Sequence, residues 1–208
     1  MVQVKLGPDK ELFTIHKNLL CNTAPYFKTA LNGSFKEAQE QSIEMPEDDP
    51  TMFECFQVWI YTGSIVGANE TENDVETLTL VKIYTFAERL NIIDLQNVAM
   101  HLLIDRVLDR RELPTEQIPF MYEHTCENSA LRRMIVDISA HCGTLDRPGW
   151  FEESKRPMYP NDFLCDLILR LYHSKKNNQT PFEFVRSSYL VKAPVDPAQS
   201  GTKEKSRI

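Results

Sequence analysis

Val2, Val4 and Leu6 are separated by Gln3 and Lys5, the two-residue alternation of a strand with one buried face. Gly7-Pro8-Asp9-Lys10 follows with turn chemistry. Phe13 and Ile15 then alternate with Thr14 and His16, so the opening predicts a strand pair joined as a hairpin. Ile43 and Met45, with Glu44 between them and Pro46 after, predict a third short strand. Helical spacing takes over elsewhere. Asn18 to Asn22 and Ala24 to Asn32 predict two short helices broken near Pro25, and Asn32-Gly33 suits a left-handed C-terminal cap. Asp49 fits an N-cap with Pro50 at the first helical position. Met52, Phe53, Phe56, Trp59 and Ile60 form the apolar stripe behind it, and Gly63 closes that helix.

Asp74 is expected to cap the next helix. There Leu78, Val81, Tyr84, Ala87 and Leu90 keep the period while Leu80, Ile83 and Phe86 widen it. A helix apolar around so much of its circumference belongs between other elements. After Asp94, the residues Leu95, Val98, Ala99, Leu102 and Leu103 predict an amphipathic helix. The short connection Asn91-Ile92-Ile93 sets it antiparallel to its predecessor. Leu113-Pro114 marks the expected boundary. Beyond it Leu131, Ile135, Ile138 and Cys142 give a helix entered at Ser129 and stopped at Gly143. An irregular stretch runs from Asp146 to Pro160, and Leu164, Leu167, Ile168 and Leu171 give a last helix. Past about Val191 the polar, Pro- and Gly-containing composition cannot bury enough surface to order itself. The division is therefore a domain over 1–110, a helical extension over 111–175 and a largely disordered tail over 176–208.

Twenty-three Lys and Arg against thirty Asp and Glu leave a formal charge of −7, the wrong sign for a chain that neutralises phosphates. Arg106, Arg110 and Arg111 alternate with Asp105, Asp109 and Glu112, which is the pattern of a solvated helix face. No nucleic-acid partner is expected. The opening residues lack the basic and apolar blocks of a secretion signal, and no apolar run approaches the ~18 residues of a membrane helix. A cytoplasmic or nuclear location without membrane contact is the expectation. Five scattered cysteines fit reduced, mostly buried thiols.

Chemistry finds few candidates. No Gly-rich phosphate loop and no Gly-x-Ser-x-Gly elbow occurs, so neither a catalytic group, a cofactor nor a small-molecule substrate is expected. Glu47-Asp48-Asp49 serves a helix cap better than a cation, which needs ligands from several directions. His124-x-Cys126 and His141-Cys142 have the soft donors of a zinc site. Adjacent helical residues, however, diverge by about 100°, and no metal site is expected. What remains is surface for partners. Phe53, Phe56 and Trp59 are core by their spacing, whereas Tyr26, Phe35 and Tyr61 fall at helix ends or loops, where recognition concentrates.

The run Phe13-Thr14-Ile15-His16-Lys17-Asn18-Leu19-Leu20, then Ala24-Pro25-Tyr26-Phe27, then Asn32-Gly33-Ser34-Phe35-Lys36-Glu37-Ala38 resembles the opening of a BTB/POZ domain. Pro46-Glu47-Asp48-Asp49-Pro50 with Phe53, Phe56, Trp59 and Tyr61-Thr62-Gly63 is similar to that family's third helix and its exit. Tyr84 to Leu90 with Ile92 and Leu95 looks like the fourth helix and turn. The likeness covers Val2 to about Leu108, and segment 114–174 resembles the helical tail of short stand-alone BTB proteins of filamentous fungi. It implies an α+β fold: a small three-stranded sheet packed on helical hairpins, followed by an α-helical extension. It also implies a non-enzymatic interaction module, an adaptor that links a client to a cullin-type ubiquitin ligase. The alternative is a self-associating scaffold or transcription-regulatory protein with no ligase role. The family's Asp ahead of the first strand is missing, and Ala68-Asn69-Glu70 is a reduced form of its apolar-x-Glu element. The docking residues implied are Tyr26, Phe35, Glu37, Ile65 and Glu70.

Overall fold

The computed structural model describes residues 1–69, 71–110, 114–141, 157–176 and 184–192. Strand β1 (Val2–Leu6) lies at the centre of a three-stranded sheet, antiparallel to β2 (Glu11–Ile15) and parallel to β3 (Ser42–Met45). The alternation works as the pattern requires: Val2, Val4, Leu6, Phe13, Ile15, Ile43 and Met45 are all buried on one face. Between β2 and β3 run α1 (Lys17–Thr23), α2 (Pro25–Asn32) and α3 (Lys36–Glu40). This helical crossover is what allows β3 to lie parallel to β1. The short α3 was not predicted, because five residues carry too little period to register.

Helix α4 (Pro50–Thr62) starts as expected, with the Asp49 carboxylate accepting the Met52 N–H at 3.0 Å. It ends at Gly63, whose φ of +79° is the left-handed conformation that glycine accepts without strain. Gly33 behaves otherwise. Its φ is −79°, so α2 does not end in the left-handed cap expected there. Asp74 also departs from expectation: Glu76 is the N-cap of α5 (Thr77–Leu90), while the Asp74 carboxylate accepts the Thr71 N–H and hydroxyl in the preceding turn.

Helix α5 is buried along most of its length and pairs with α6 (Ile93–Arg110). The two run antiparallel, since Arg106 near the end of α6 donates to Thr77 at the start of α5. Arg106 is not on a solvated face. It is 8% exposed, and its guanidinium also donates to the carbonyls of Glu72 and Val75, closing the loop ahead of α5. Phe13, Phe27, Phe53, Phe56 and Phe86 meet at centroid distances of 5.1–6.2 Å and join the sheet to α2, α4 and α5.

The extension comprises a 3-10 turn (Thr115–Gln117), α7 (Ile118–Glu123), α8 (Ala130–His141) and α9 (Asn161–Lys176). Leu131, Ile135 and Ile138 are buried as predicted, and they belong to the same continuous core as the strands. On α9 the stripe is narrower than its spacing implied: Phe163 and Leu167 are buried, but Ile168 is 64% exposed. Residues 184–192, expected within a disordered tail, instead dock on α6 and α8 with Tyr189 buried. None of the four described cysteines is in a disulfide. Cys21 and Cys55 are half-buried and Cys126 and Cys165 exposed, against the expectation of mostly buried thiols. Cys142, Gly143 and the chain from 193 onward lie outside the described residues.

Candidate protein-docking surface

Pro25 opens α2, with Ala24 ahead of it extended as a residue before proline must be. The helical period then separates two neighbours by about 100°. Phe27 turns into the core, while Tyr26, 44% exposed, turns out with Thr29 and Ala30 one turn further along its face. After Gly33 the chain brings Phe35, 56% exposed, to the N-cap of α3, with Glu37 in that helix's first turn. A hypothetical Cβ on Gly33 would meet the Thr29 carbonyl oxygen at 2.8 Å and the Phe35 ring at 3.0 Å. Glycine is needed here for close approach and not for its left-handed freedom. The result is a groove of about 440 Å³ lined by Pro25, Tyr26, Thr29, Ala30, Phe35 and Glu37. Burial pushes the Tyr26 hydroxyl above its ordinary range, and the nearby Glu37 and Asp48 carboxylates add to this against Arg89. The phenol therefore keeps its proton and can both donate and accept.

The structure thus brings three of the five sequence-predicted residues, Tyr26, Phe35 and Glu37, to one groove. Ile65 is elsewhere and is 1% exposed. The loop after α4 folds it inward, so it supports the floor of a second groove and offers no docking surface of its own. Glu70 lies outside the described residues.

That second groove, about 1030 Å³, runs between α4, the loop after it and the start of α5, past Val58, Tyr61, Val66 and Lys82. The Tyr61 hydroxyl accepts the His16 backbone N–H at 3.1 Å and lies 2.7 Å from His16 Nδ1, tying β2 to α4. Sequence reasoning singled out Tyr61 and Ile65 but did not join them into this groove. A further signal was Lys82, a charge between Val81 and Ile83 on an otherwise apolar helix. Lys82 reaches back to Asp49 at 2.6 Å. Asp48 pairs with Arg89 at 2.5 Å. The Glu47-Asp48-Asp49 run therefore turns two of its carboxylates to cations of α5, one of which also caps α4. His124 donates from Nδ1 to the Phe120 carbonyl and stacks on that ring at 3.9 Å. Among the described residues no three His, Cys, Asp or Glu side chains converge as a metal site. No described helix is long and apolar enough to cross a membrane.

A family model described as BTB/POZ domain matches residues 1–106, just over half the chain. The chain belongs to the BTB/POZ domain family. Its BTB domain is a protein–protein interaction module, and the exposed aromatic groove is a feature of that module's α2–α3 corner. Among curated proteins the chain is similar to the human Kelch repeat and BTB domain-containing protein 7, 35% identical over 26% of this chain and 8% of that protein. It is similar to the zebrafish (Danio rerio) Kelch-like protein 38, 33% identical over 27% of this chain and 10% of that protein. It is also similar to Armadillo BTB Arabidopsis protein 1 of Arabidopsis thaliana, 25% identical over 167 residues, 78% of this chain and 21% of that protein. This last likeness is too long to be confined to the BTB domain. The chain spans about a fifth of the length of the Arabidopsis relative and a tenth or less of the other two.

The extension packs on the BTB domain through the shared apolar core, with Ser129 at the start of α8 set beside Tyr84 and Glu88 of α5. Within the BTB domain, Gln96 of α6 donates to the Tyr84 hydroxyl at 2.8 Å. Burial pushes the Glu88 carboxyl up, while Ser129, Tyr84 and the Arg132 charge hold it back. Arg132 also donates to the Tyr122 carbonyl at 2.5 Å, with its guanidinium 4.4 Å from that ring's centroid.

Proposed function

We propose that the chain is a non-enzymatic adaptor whose BTB domain holds a cullin-type ubiquitin-ligase scaffold and whose helical extension presents a client. The observation that carries this reading is the exposure of Phe35 beside Tyr26 on a rigid corner of two helices. An aromatic left in water over a preformed groove costs nothing further to pre-organise and gains most when a partner covers it. Glu37 at the rim supplies a charge that orients a partner carrying Lys or Arg. The family likeness favours a cullin as the scaffold, and the extension's continuous packing with the BTB domain favours a fixed geometry between scaffold and client.

The test is retention of purified cullin on immobilised chain. Phe35→Ala removes an anchor worth about 2 kcal/mol, so the dissociation constant should rise roughly thirtyfold. Leu12→Ala, at an exposed site on β2 that does not line this groove, should leave it unchanged. No retention of cullin by the unaltered chain, with concentration-dependent self-association in light scattering, favours the self-associating scaffold instead.

A further inference from the structure

Residues 184–192 lie as a strap across α6 and α8, and the bonds that hold them are those of a captured peptide. The Asn97 side chain on α6 donates to the Val191 carbonyl at 2.9 Å and accepts the Val191 N–H at 2.8 Å. A carboxamide that satisfies both backbone groups of one residue grips an extended segment whatever its side chain. Tyr189 is 3% exposed, donates its hydroxyl proton to Asp137 of α8 at 2.8 Å, and is covered by the Phe184 ring at 5.0 Å. Arg186 pairs with Asp105 of α6. The tyrosine receptor does not depend on the strap, since Arg170 of α9 pairs with Asp137 and orients it from the other side.

The strap is an imperfect occupant of this groove. The Arg186–Asp105 pair is about 40% exposed on both sides, where an ion pair adds little. Val185 is 47% exposed, and Ser187 and Ser188 face solvent. We propose that the α6–α8 groove is a client-docking site for a segment that makes a 3-10 turn from an arginine to a tyrosine three residues on, with an apolar residue two beyond it, and that residues 184–192, whose Arg186–Tyr189 form that turn, hold it in cis as a replaceable occupant. The two acidic receptors, Asp105 and Asp137, select the basic and hydroxylated positions, and Asn97 fixes the backbone register. A second copy of the chain is the weaker occupant. Its strap brings the same residues at bulk concentration against a tethered competitor whose effective concentration is of millimolar order. Only a segment with better contacts at the rim, where the Arg186–Asp105 pair is half exposed, displaces it. The proposal rests on the adaptor reading for the extension's role as the client side.

The experiment uses the full chain and a fluorescein-labelled peptide with the sequence of Phe184 to Lys192, followed by anisotropy. Arg186→Glu sets like charges at the exposed rim against Asp105 and loosens the strap without opening the core, while the peptide keeps its own arginine. Because apparent affinity scales with the fraction of open groove, Arg186→Glu should bind the peptide at least about threefold tighter than the unaltered chain. Adding Asn97→Ala should abolish the gain. Val191→Pro, which removes the N–H that Asn97 accepts, loosens the strap from its other end and should give the same gain should Arg186→Glu fold poorly. Equal affinity in loosened and unaltered chains, or binding that survives Asn97→Ala, overturns the proposal. Dimers of Arg186→Glu that grow with concentration and exclude the peptide assign the groove to a second copy and overturn it equally. Cullin retention measured on the same variants keeps the readings apart: retained cullin with failed peptide binding removes the client groove alone.

Discussion

Asp49 caps α4 through the Met52 N–H and pairs with Lys82 on α5, so one carboxylate joins two helices. Burial alone would push its carboxyl up, but the Lys82 and Met52 bonds outweigh this and hold it below the usual range. A carboxyl lowered by folding stabilises the protein above its unfolded pKa, near 4, and that contribution fades as pH falls through the folded value. Asp49→Ala should therefore cost about 1 kcal/mol at pH 7, and the difference from the unaltered chain should shrink in urea melts at pH 3. An equal difference at both pH values would count against this account. The cap was legible because Asp49-Pro50 before an apolar run is a local signal. The lysine was not, since its partner is set by how α5 crosses α4.

At the scale of elements, the junction of α2 and α3 shows how a correct stop can hide its cause. Asn32-Gly33 marks the end of α2 in the sequence, but the reason for the glycine is the Thr29 carbonyl and the Phe35 ring pressed against its Cα. The left-handed caps fall at Gln41, Gly63 and Asn91 instead. Gly33→Ala should force the Phe35 ring out of place, costing about 1–3 kcal/mol as overpacking does. It should also weaken cullin retention together with the urea midpoint. A midpoint that falls with retention intact would show the ring free to relocate without loss of docking. Strand alternation, the α4 stripe and the breadth of α5 were all legible. Ile168 was misjudged because period tells which residues share a face, and only a covering element decides whether that face is buried.

For the whole molecule, one apolar cluster runs from Val2 through α5 and α6 to Phe163 and Tyr189, and the BTB domain and its extension share it. Unfolding should then be a single transition in which far-UV circular dichroism and tryptophan fluorescence coincide, with calorimetric and van't Hoff enthalpies equal. Two separated transitions would show the extension melting by itself. The amino-acid order alone determined the hairpin, the caps of α4, the buried character of α5 and the family pattern, because each is set within a few neighbouring residues. Tertiary structure alone decided that β3 joins β1 in parallel, that Ile65 and Arg106 turn inward, that Tyr26, Phe35 and Glu37 share one groove, and that residues 184–192 dock on α6. Apart from the groove, whose residues are turned together around Gly33, each of these depends on a partner dozens of residues away, and burial at a position is a property of whatever the folded chain places over it.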